Sequence, residues 1–197
     1  MTGFRLGLTG SIGMGKSTTS AMFAAEGVPV WDADQAVHRL YAQGGAAVGP
    51  LSALFPEAEI EGAIRRDVLR RLIAEDAGAL AKIESVVHPL VVADRTGFIA
   101  ETPADLLLLD IPLLFETGAD SGMDASLVVT APPELQRARV MARPGMTDAL
   151  FQTLLAKQMP DREKRARATH LIETLSLDSV RSCVQALIRY IRETRHA

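Results

Sequence analysis

The sequence predicts an α/β fold of three layers, in which helices cover both faces of a parallel five-stranded sheet. Three observations lead there. Short apolar runs rich in β-formers recur at residues 4–9, 28–31, 106–109, 126–131 and 170–172. Segments with helical spacing separate them. The run Leu106-Leu107-Leu108-Leu109 shows no polar alternation, which suits a strand buried on both faces. Strands alternating with helices build a parallel sheet whose ligand lies beyond the C-terminal strand ends.

Taken in order, the first strand runs into a glycine-rich loop at residues 10–17, and a helix follows over residues 18–26 with Gly27 as its stop. The second strand ends at Asp32-Ala33-Asp34. Residues two apart in an extended strand share a side, so both carboxylates are expected to face one cleft. Three to five helices are expected over residues 35–101, broken near Gly44-Gly45, Pro56 and Pro89, with no strand among them. This stretch reads as a helical insertion that binds the acceptor, and residues 1–34 with 102–197 as the nucleotide-binding core. Past the fourth strand, Pro132-Pro133 opens a helix that reaches about Arg143, and a second helix covers residues 148–157. The charged segment 161–167 is expected to be a mobile basic flap, within a lid spanning residues 139–167. A last helix over residues 178–192 carries Val180, Val184, Leu187, Ile188 and Ile191 on one face.

Composition narrows the partners. A chain of 197 residues with 48% hydrophobic and 23% charged residues can bury a core without a metal or disulfide framework. A formal net charge of -3 gives no general attraction to nucleic acid or anionic lipid, so neither is expected as a partner. Cys183 is the single cysteine, which excludes an intrachain disulfide and a multi-thiolate metal site. Its apolar neighbours lead to the expectation of a buried thiol in a reducing compartment. The first residues lack the pattern of a signal peptide, and no apolar stretch is long enough to span a bilayer. A cytoplasmic monomer is expected.

The chemistry is concentrated in the loop. Gly10-Ser11-Ile12-Gly13-Met14-Gly15-Lys16-Ser17 satisfies G-x-x-x-x-G-K-[ST] at every fixed position. Glycines let the backbone of Ser11, Ile12, Gly13, Met14 and Gly15 turn amides toward phosphate oxygens, and the start of the helix at Lys16, Ser17 and Thr18 adds its positive dipole end. Lys16 can reach the β- and γ-phosphates, and the Ser17 hydroxyl can ligate Mg²⁺. The loop alone indicates only a nucleotide phosphate; a guanine-specific N-K-x-D motif is absent, and the one D-x-x-G match, Asp94 to Gly97, falls inside an apparent helix, so a GTPase is not expected.

A kinase acting on an alcohol needs a carboxylate to accept the hydroxyl proton. Asp34 is the expected base, with Asp32 as orienter or water-mediated magnesium contact; either can instead simply cap the following helix. Asp110 ends the third strand, where it either supports magnesium through water or Ser17 or only closes a turn. Arg143, and after it Arg139, are the arginines expected to stabilise the transferring phosphoryl group. Arg137, Arg162, Lys164, Arg165 and Arg167 read as solvated background. His88 either contacts the acceptor or packs against its helix.

The motifs together resemble the dephospho-CoA kinase family over almost the full chain. Leu8 to Thr18 is similar to the family's P-loop, and V-W-D-A-D (Val30 to Asp34) to its strand ending in the catalytic aspartate, which falls on Asp34. I-E-S-V-V-H-P-L-V (Ile83 to Val91), D-I-P-L-L-F-E (Asp110 to Glu116), Q-R-A-R-V-M-A-R (Gln136 to Arg143) and Q-M-P-D-R-E-K-R-A-R-A (Gln158 to Ala168) match further family segments. The resemblance implies a P-loop kinase-like fold and transfer of the ATP γ-phosphate, with Mg²⁺, to the ribose 3′-hydroxyl of dephospho-CoA. It also implies that Asp32, Asp34, His88, Pro112 and Leu113 contact that substrate, and that Arg143 is the lid arginine. Where the family reads A-D and then I-x-N, this chain has Thr169 after Ala168 and Thr174 after Ile172-Glu173, positions expected on the nucleotide-base side. Two other readings stand beside this one. One is a kinase for another small acceptor, such as a nucleoside monophosphate or a shikimate-like alcohol; the other is a non-catalytic switch that senses ATP and coenzyme A.

Overall fold

Strand β5 (Leu106–Asp110) is buried along its whole length, as its four leucines require. The computed structural model describes residues 3–195. In it β5 pairs in parallel with β1 (Phe4–Thr9), from Phe4 opposite Leu106 to Leu8 opposite Asp110. β1 pairs on its other side with β6 (Ala125–Thr130), and β6 with β7 (His170–Glu173), both parallel. β2 (Val30–Asp32) completes the order β2-β5-β1-β6-β7, with the Pro29 carbonyl accepting the Leu108 N–H at 2.9 Å. The five-stranded parallel sheet is the one the sequence predicts.

The chain forms two compact units. The first takes residues up to Trp31 and from Thr102 onward; the second is Asp32–Glu101. In the first unit, Leu6, Leu8, Leu106, Leu108, Leu127 and Val129 share a core with Phe23 of α1 (Lys16–Ala25) and with Val180, Val184, Leu187, Ile188 and Ile191 of α9 (Leu177–Arg195). The other sheet face is covered closely by the segment after β5: a Cβ on Gly7 would lie 2.9 Å from Met123 and 3.1 Å from Leu114.

The second unit has its own core of Leu40, Tyr41, Leu51, Phe55, Leu69, Ile83 and Val87. Its helices are α2 (Ala33–Tyr41), α3 (Val48–Leu54), α4 (Arg66–Glu75) and α5 (Ala79–Glu101). Two expectations change here. A short antiparallel ribbon, β3 (Glu59–Ile60) with β4 (Ala63–Ile64), follows a 3₁₀ turn at Pro56–Ala58, so strands do interrupt the helices; two-residue strands leave no periodic signal. Nor does Pro89 break its helix: α5 runs 23 residues through it. A proline costs an interior helix about 3 kcal/mol, and packing of α5 on α2, with Arg39 donating to Asp94 at 2.7 and 3.4 Å, outweighs the lost bond.

After β6 come α6 (Pro133–Met141), α7 (Asp148–Ala156) and α8 (Asp161–Arg167). The charged segment expected to be a mobile flap is thus helix α8, and Lys164, expected to be solvated, is fully buried. Cys183 is exposed on α9 rather than buried. It falls past the edge of the apolar stripe, and its apolar neighbours in sequence turn inward without it.

Leu108→Ala, in the middle of β5, is expected to destabilise the protein by about 2–5 kcal/mol. Urea unfolding followed by circular dichroism measures it, and a loss below ~1 kcal/mol would contradict the full burial of β5.

Candidate active site

β1 feeds the loop directly into α1, and the loop's shape depends on glycines. Gly13 and Gly15 sit at φ 80 and 88, in the left-handed region. A Cβ at Gly13 would lie 2.5 Å from Val140 Cγ2 and 2.9 Å from the Gln136 carbonyl oxygen, so the loop also needs glycine there for space. Gly15 is the N-cap of α1 and, lacking a side chain, caps nothing, which leaves the first amides of the helix available to a ligand.

Groups outside the loop hold it. The Ile12 N–H donates to Gln158 Oε1 at 3.0 Å, and the Ile12 carbonyl accepts from Gln136 Nε2 at 2.7 Å. The Met14 carbonyl accepts from Thr174 Oγ1 at 3.0 Å, and the Met14 sulfur accepts from the Ala131 N–H at 3.0 Å. Gln136 is a buried polar residue on α6, and Gln158 follows α7. Neither glutamine stood out in the sequence, because both lie in segments whose arginines suggest a basic lid. The available signal was an uncharged polar residue at a position that helical spacing turns inward.

Lys16 forms an ion pair with Asp110, whose side chain is 1% exposed. Asp110 therefore faces the loop across β1 and β5 rather than only closing a turn. Ser17 and Thr18 lie exposed in the first turn of α1. Beside them is a cavity of about 460 Å³ lined by Gly13, Gly15, Thr18, Arg139, Arg143 and Thr174, among others. Arg139 of α6 donates to Thr174 Oγ1 at 2.8 Å and to the Thr174 carbonyl at 2.6 Å, so its guanidinium is fixed in the wall. Arg143 is exposed and lies just past the end of α6 rather than on it, since the helix stops at Met141. Thr174 is on this cavity, but Thr169 is not. Thr169 exchanges hydrogen bonds with Ser126 at 3.1 Å, near the N-terminal end of β6, because it precedes β7 whereas Thr174 follows it.

Pro112 and Leu113 follow β5; the Pro112 carbonyl accepts from Thr9 Oγ1 at 3.0 Å, and Leu113 is 39% exposed. In the second unit, Asp32 is the N-cap of α2 and accepts the Gln35 N–H at 2.9 Å. Asp34 is in the first turn of that helix. The expectation that the two acids share one side of an extended strand is therefore corrected: the strand ends at Asp32, and helical geometry turns Asp34 elsewhere. Asp34 is exposed, and among the described residues its carboxylate has no hydrogen bond or ion pair. Arg66 donates to the Asp34 carbonyl at 3.4 Å and stacks over the Tyr41 ring at 5.6 Å. His88 is exposed on α5 rather than packed.

Beyond the cavity, Glu116 Oε1 accepts the Met159 N–H at 2.8 Å and pairs with Lys164 Nζ at 2.9 Å. Burial acts to raise the Glu116 pKa, but Lys164 and the Met159 N–H more than reverse this and hold the carboxyl below its usual value.

A family model described as Dephospho-CoA kinase matches residues 4–178. The chain belongs to the dephospho-CoA kinase family. A dephospho-CoA kinase of Cereibacter sphaeroides is 64% identical over 197 residues, covering 100% of both chains. A crystal structure from Thermus thermophilus superposes with a TM-score of 0.84 at 37% identity over 96% of this chain and 98% of the other. A dephospho-CoA kinase from Campylobacter jejuni shares the fold, with a TM-score of 0.69 at 22% identity over 97% and 98%. Membership in this kinase family implies that the enzyme uses ATP.

Gly13→Ala is expected to lower kcat/KM for ATP at least ~tenfold while the protein still folds, because a methyl group there displaces Val140 or the loop itself. Wild-type ATP kinetics in that variant would show that the loop tolerates the displacement.

Proposed function

We propose that the enzyme transfers the γ-phosphoryl group of ATP to the ribose 3′-hydroxyl of dephospho-CoA, giving coenzyme A and ADP, with the roles that follow. The observation that carries this reading is the P-loop, tethered through the carbonyls of Ile12 and Met14 and opening into a helix whose glycine N-cap leaves the first amides uncapped, in a chain similar to dephospho-CoA kinases over its whole length.

Residues 11–18 form the phosphate site, with the amides of Gly13 and of Gly15 to Thr18 as its donors, since those of Ile12 and Met14 already donate to Gln158 and to the Ser11 carbonyl. Lys16 keeps one ammonium hydrogen on Asp110 and has two more for the β- and γ-phosphate oxygens. Arg139 lines the nucleotide cavity, and Arg143, free to move, offers a forked guanidinium to the charge that develops during transfer. Asp34 accepts the proton of the attacking hydroxyl; its side chain is exposed and not already engaged. Asp32, fixed as a cap, sets the start of the helix that carries Asp34. Residues 32–101, His88 among them, carry contacts for the acceptor, Pro112 and Leu113 carry others, and residues 139–167 act as the lid.

The donor set suits Mg²⁺. Ser17 and Asp110 supply hard oxygens only, and magnesium takes few protein ligands while keeping water and phosphate oxygens. The Ser17 hydroxyl would hold the ion directly and Asp110 through water; when bound, it neutralises charge on the β- and γ-phosphate oxygens. A cytoplasmic monomer is the form proposed. No helix among the described residues is long and apolar enough to cross a membrane.

Two experiments test the reading. ADP formation from Mg-ATP with dephospho-CoA, AMP, CMP or shikimate is expected with dephospho-CoA alone. Turnover only with another acceptor would replace the substrate, and none with any would favour the sensing switch. Asp34→Asn is expected to lower kcat on the order of 10²–10⁴-fold with ATP affinity nearly unchanged. If calorimetry shows a large loss of ATP binding instead, Asp34 is not the base.

A further inference from the structure

Lys164 is a charged side chain with no exposure to solvent, and the mechanism above does not use it. Its partner is Glu116, from the segment after β5. Burying an ion pair seldom stabilises a fold more than apolar residues of the same shape would, so its presence needs another reason. Glu116 Oε2 and Asp161 Oδ1 are also buried and have no hydrogen-bond partner among the described residues. A cluster serving stability alone would not leave such acceptors unmet.

What the pair does hold is a short run of backbone. Glu116 Oε1 accepts the Met159 N–H and is ion-paired with Lys164 Nζ at 2.9 Å, an ammonium with no hydrogen-bond geometry to any other group among the described residues. The residue before Met159 is Gln158, whose side chain accepts the Ile12 amide at the crest of the P-loop. Four residues beyond Pro160, Lys164 donates its backbone N–H to the Pro160 carbonyl at 3.1 Å, and Asp161 accepts from Thr130 Oγ1 at 2.8 Å. The corner between α7 and α8 is thus pinned to β6, to the segment after β5 and to the loop. Only the last of these contacts reaches the phosphate site.

We infer that Glu116 and Lys164 are positioning residues for phosphoryl transfer: their buried ion pair fixes the backbone at Met159, and through it Gln158, so that the P-loop crest at Ile12 stays in place. The inference rests on the kinase reading above, but part of its test needs no catalysis.

The test compares Gln158→Ala, the double variant Glu116→Gln with Lys164→Met, and the triple combination. The double variant removes both charges together and so leaves no lone buried ion. Thermal unfolding, kcat and KM for ATP and for dephospho-CoA, and hydrogen exchange at the Ile12 amide are measured for each. The double variant is expected to fold, to lose about tenfold or more in kcat/KM for ATP with KM for dephospho-CoA within about twofold, and to exchange the Ile12 amide faster, as Gln158→Ala does. Because the pair acts through Gln158, the triple variant is expected to be little worse than Gln158→Ala alone. Unchanged Ile12 exchange and ATP kinetics in the double variant, or losses that simply add in the triple, would overturn the inference. If the double variant does not fold, Lys164→Arg, which keeps the charge but moves the donor, is judged by the same Ile12 exchange. Should wild-type protein phosphorylate no acceptor, the kinase reading fails, while the exchange result still decides whether the pair governs the loop.

Discussion

A loop that offers its backbone amides to a ligand cannot also use those amides to hold itself in shape. The rest of this structure follows from that constraint. The P-loop is instead secured mainly through what the ligand leaves over: the carbonyls of Ile12 and Met14, the sulfur of Met14, and two amides only, that of Ile12 and that of Met14, which donates to the Ser11 carbonyl at 3.1 Å. The groups that reach them from outside the loop come from α6, from the residue after β6, from the corner after α7 and from the residue after β7, so four separate parts of the first unit must be in place for one loop to be correct. Steric limits do the remainder, since Gly13 faces Val140 with no room for a side chain.

The cations of the site differ in how firmly they are held, and the difference matches the work proposed for each. Lys16 is tied to a buried carboxylate and Arg139 to both oxygens of Thr174, so each is oriented in advance and costs little further ordering when phosphate arrives. Arg143 is exposed, in a turn, with no partner among the described residues. A group of that kind suits charge that appears only during the reaction. Asp34 is similarly unengaged, whereas its neighbour Asp32 spends its carboxylate on a helix cap.

Much of the sheet was legible in the sequence because unbroken apolar runs such as Leu106 to Leu109 have few other uses, and the P-loop was legible because its chemistry demands particular residues at particular spacings. The places that were hard to read had weak or competing local signals. The β3–β4 ribbon is too short for a period to show. Pro89 gives a strong local stop that packing in the second unit overrides. Asp34 was read as part of a strand because the change from period two to period 3.6 happens within a single residue. Lys164 reads like one more surface charge, since nothing in a run as polar as Asp161 to Arg167 marks which of its charged residues turns inward. That information lies in Glu116, which is far away in sequence.

The order of strands in the sheet also governs when the protein can assemble. β1 has β5 and β6 as its neighbours, and β2 has only β5, so neither of the first two strands finds a partner within the first third of the chain. Residues 32–101 are contiguous and have a core of their own, so on the ribosome they can collapse while both earlier strands still wait. The nucleotide site is therefore among the last features to form, completed only when the chain has passed Thr174 and the final tether on the loop is made.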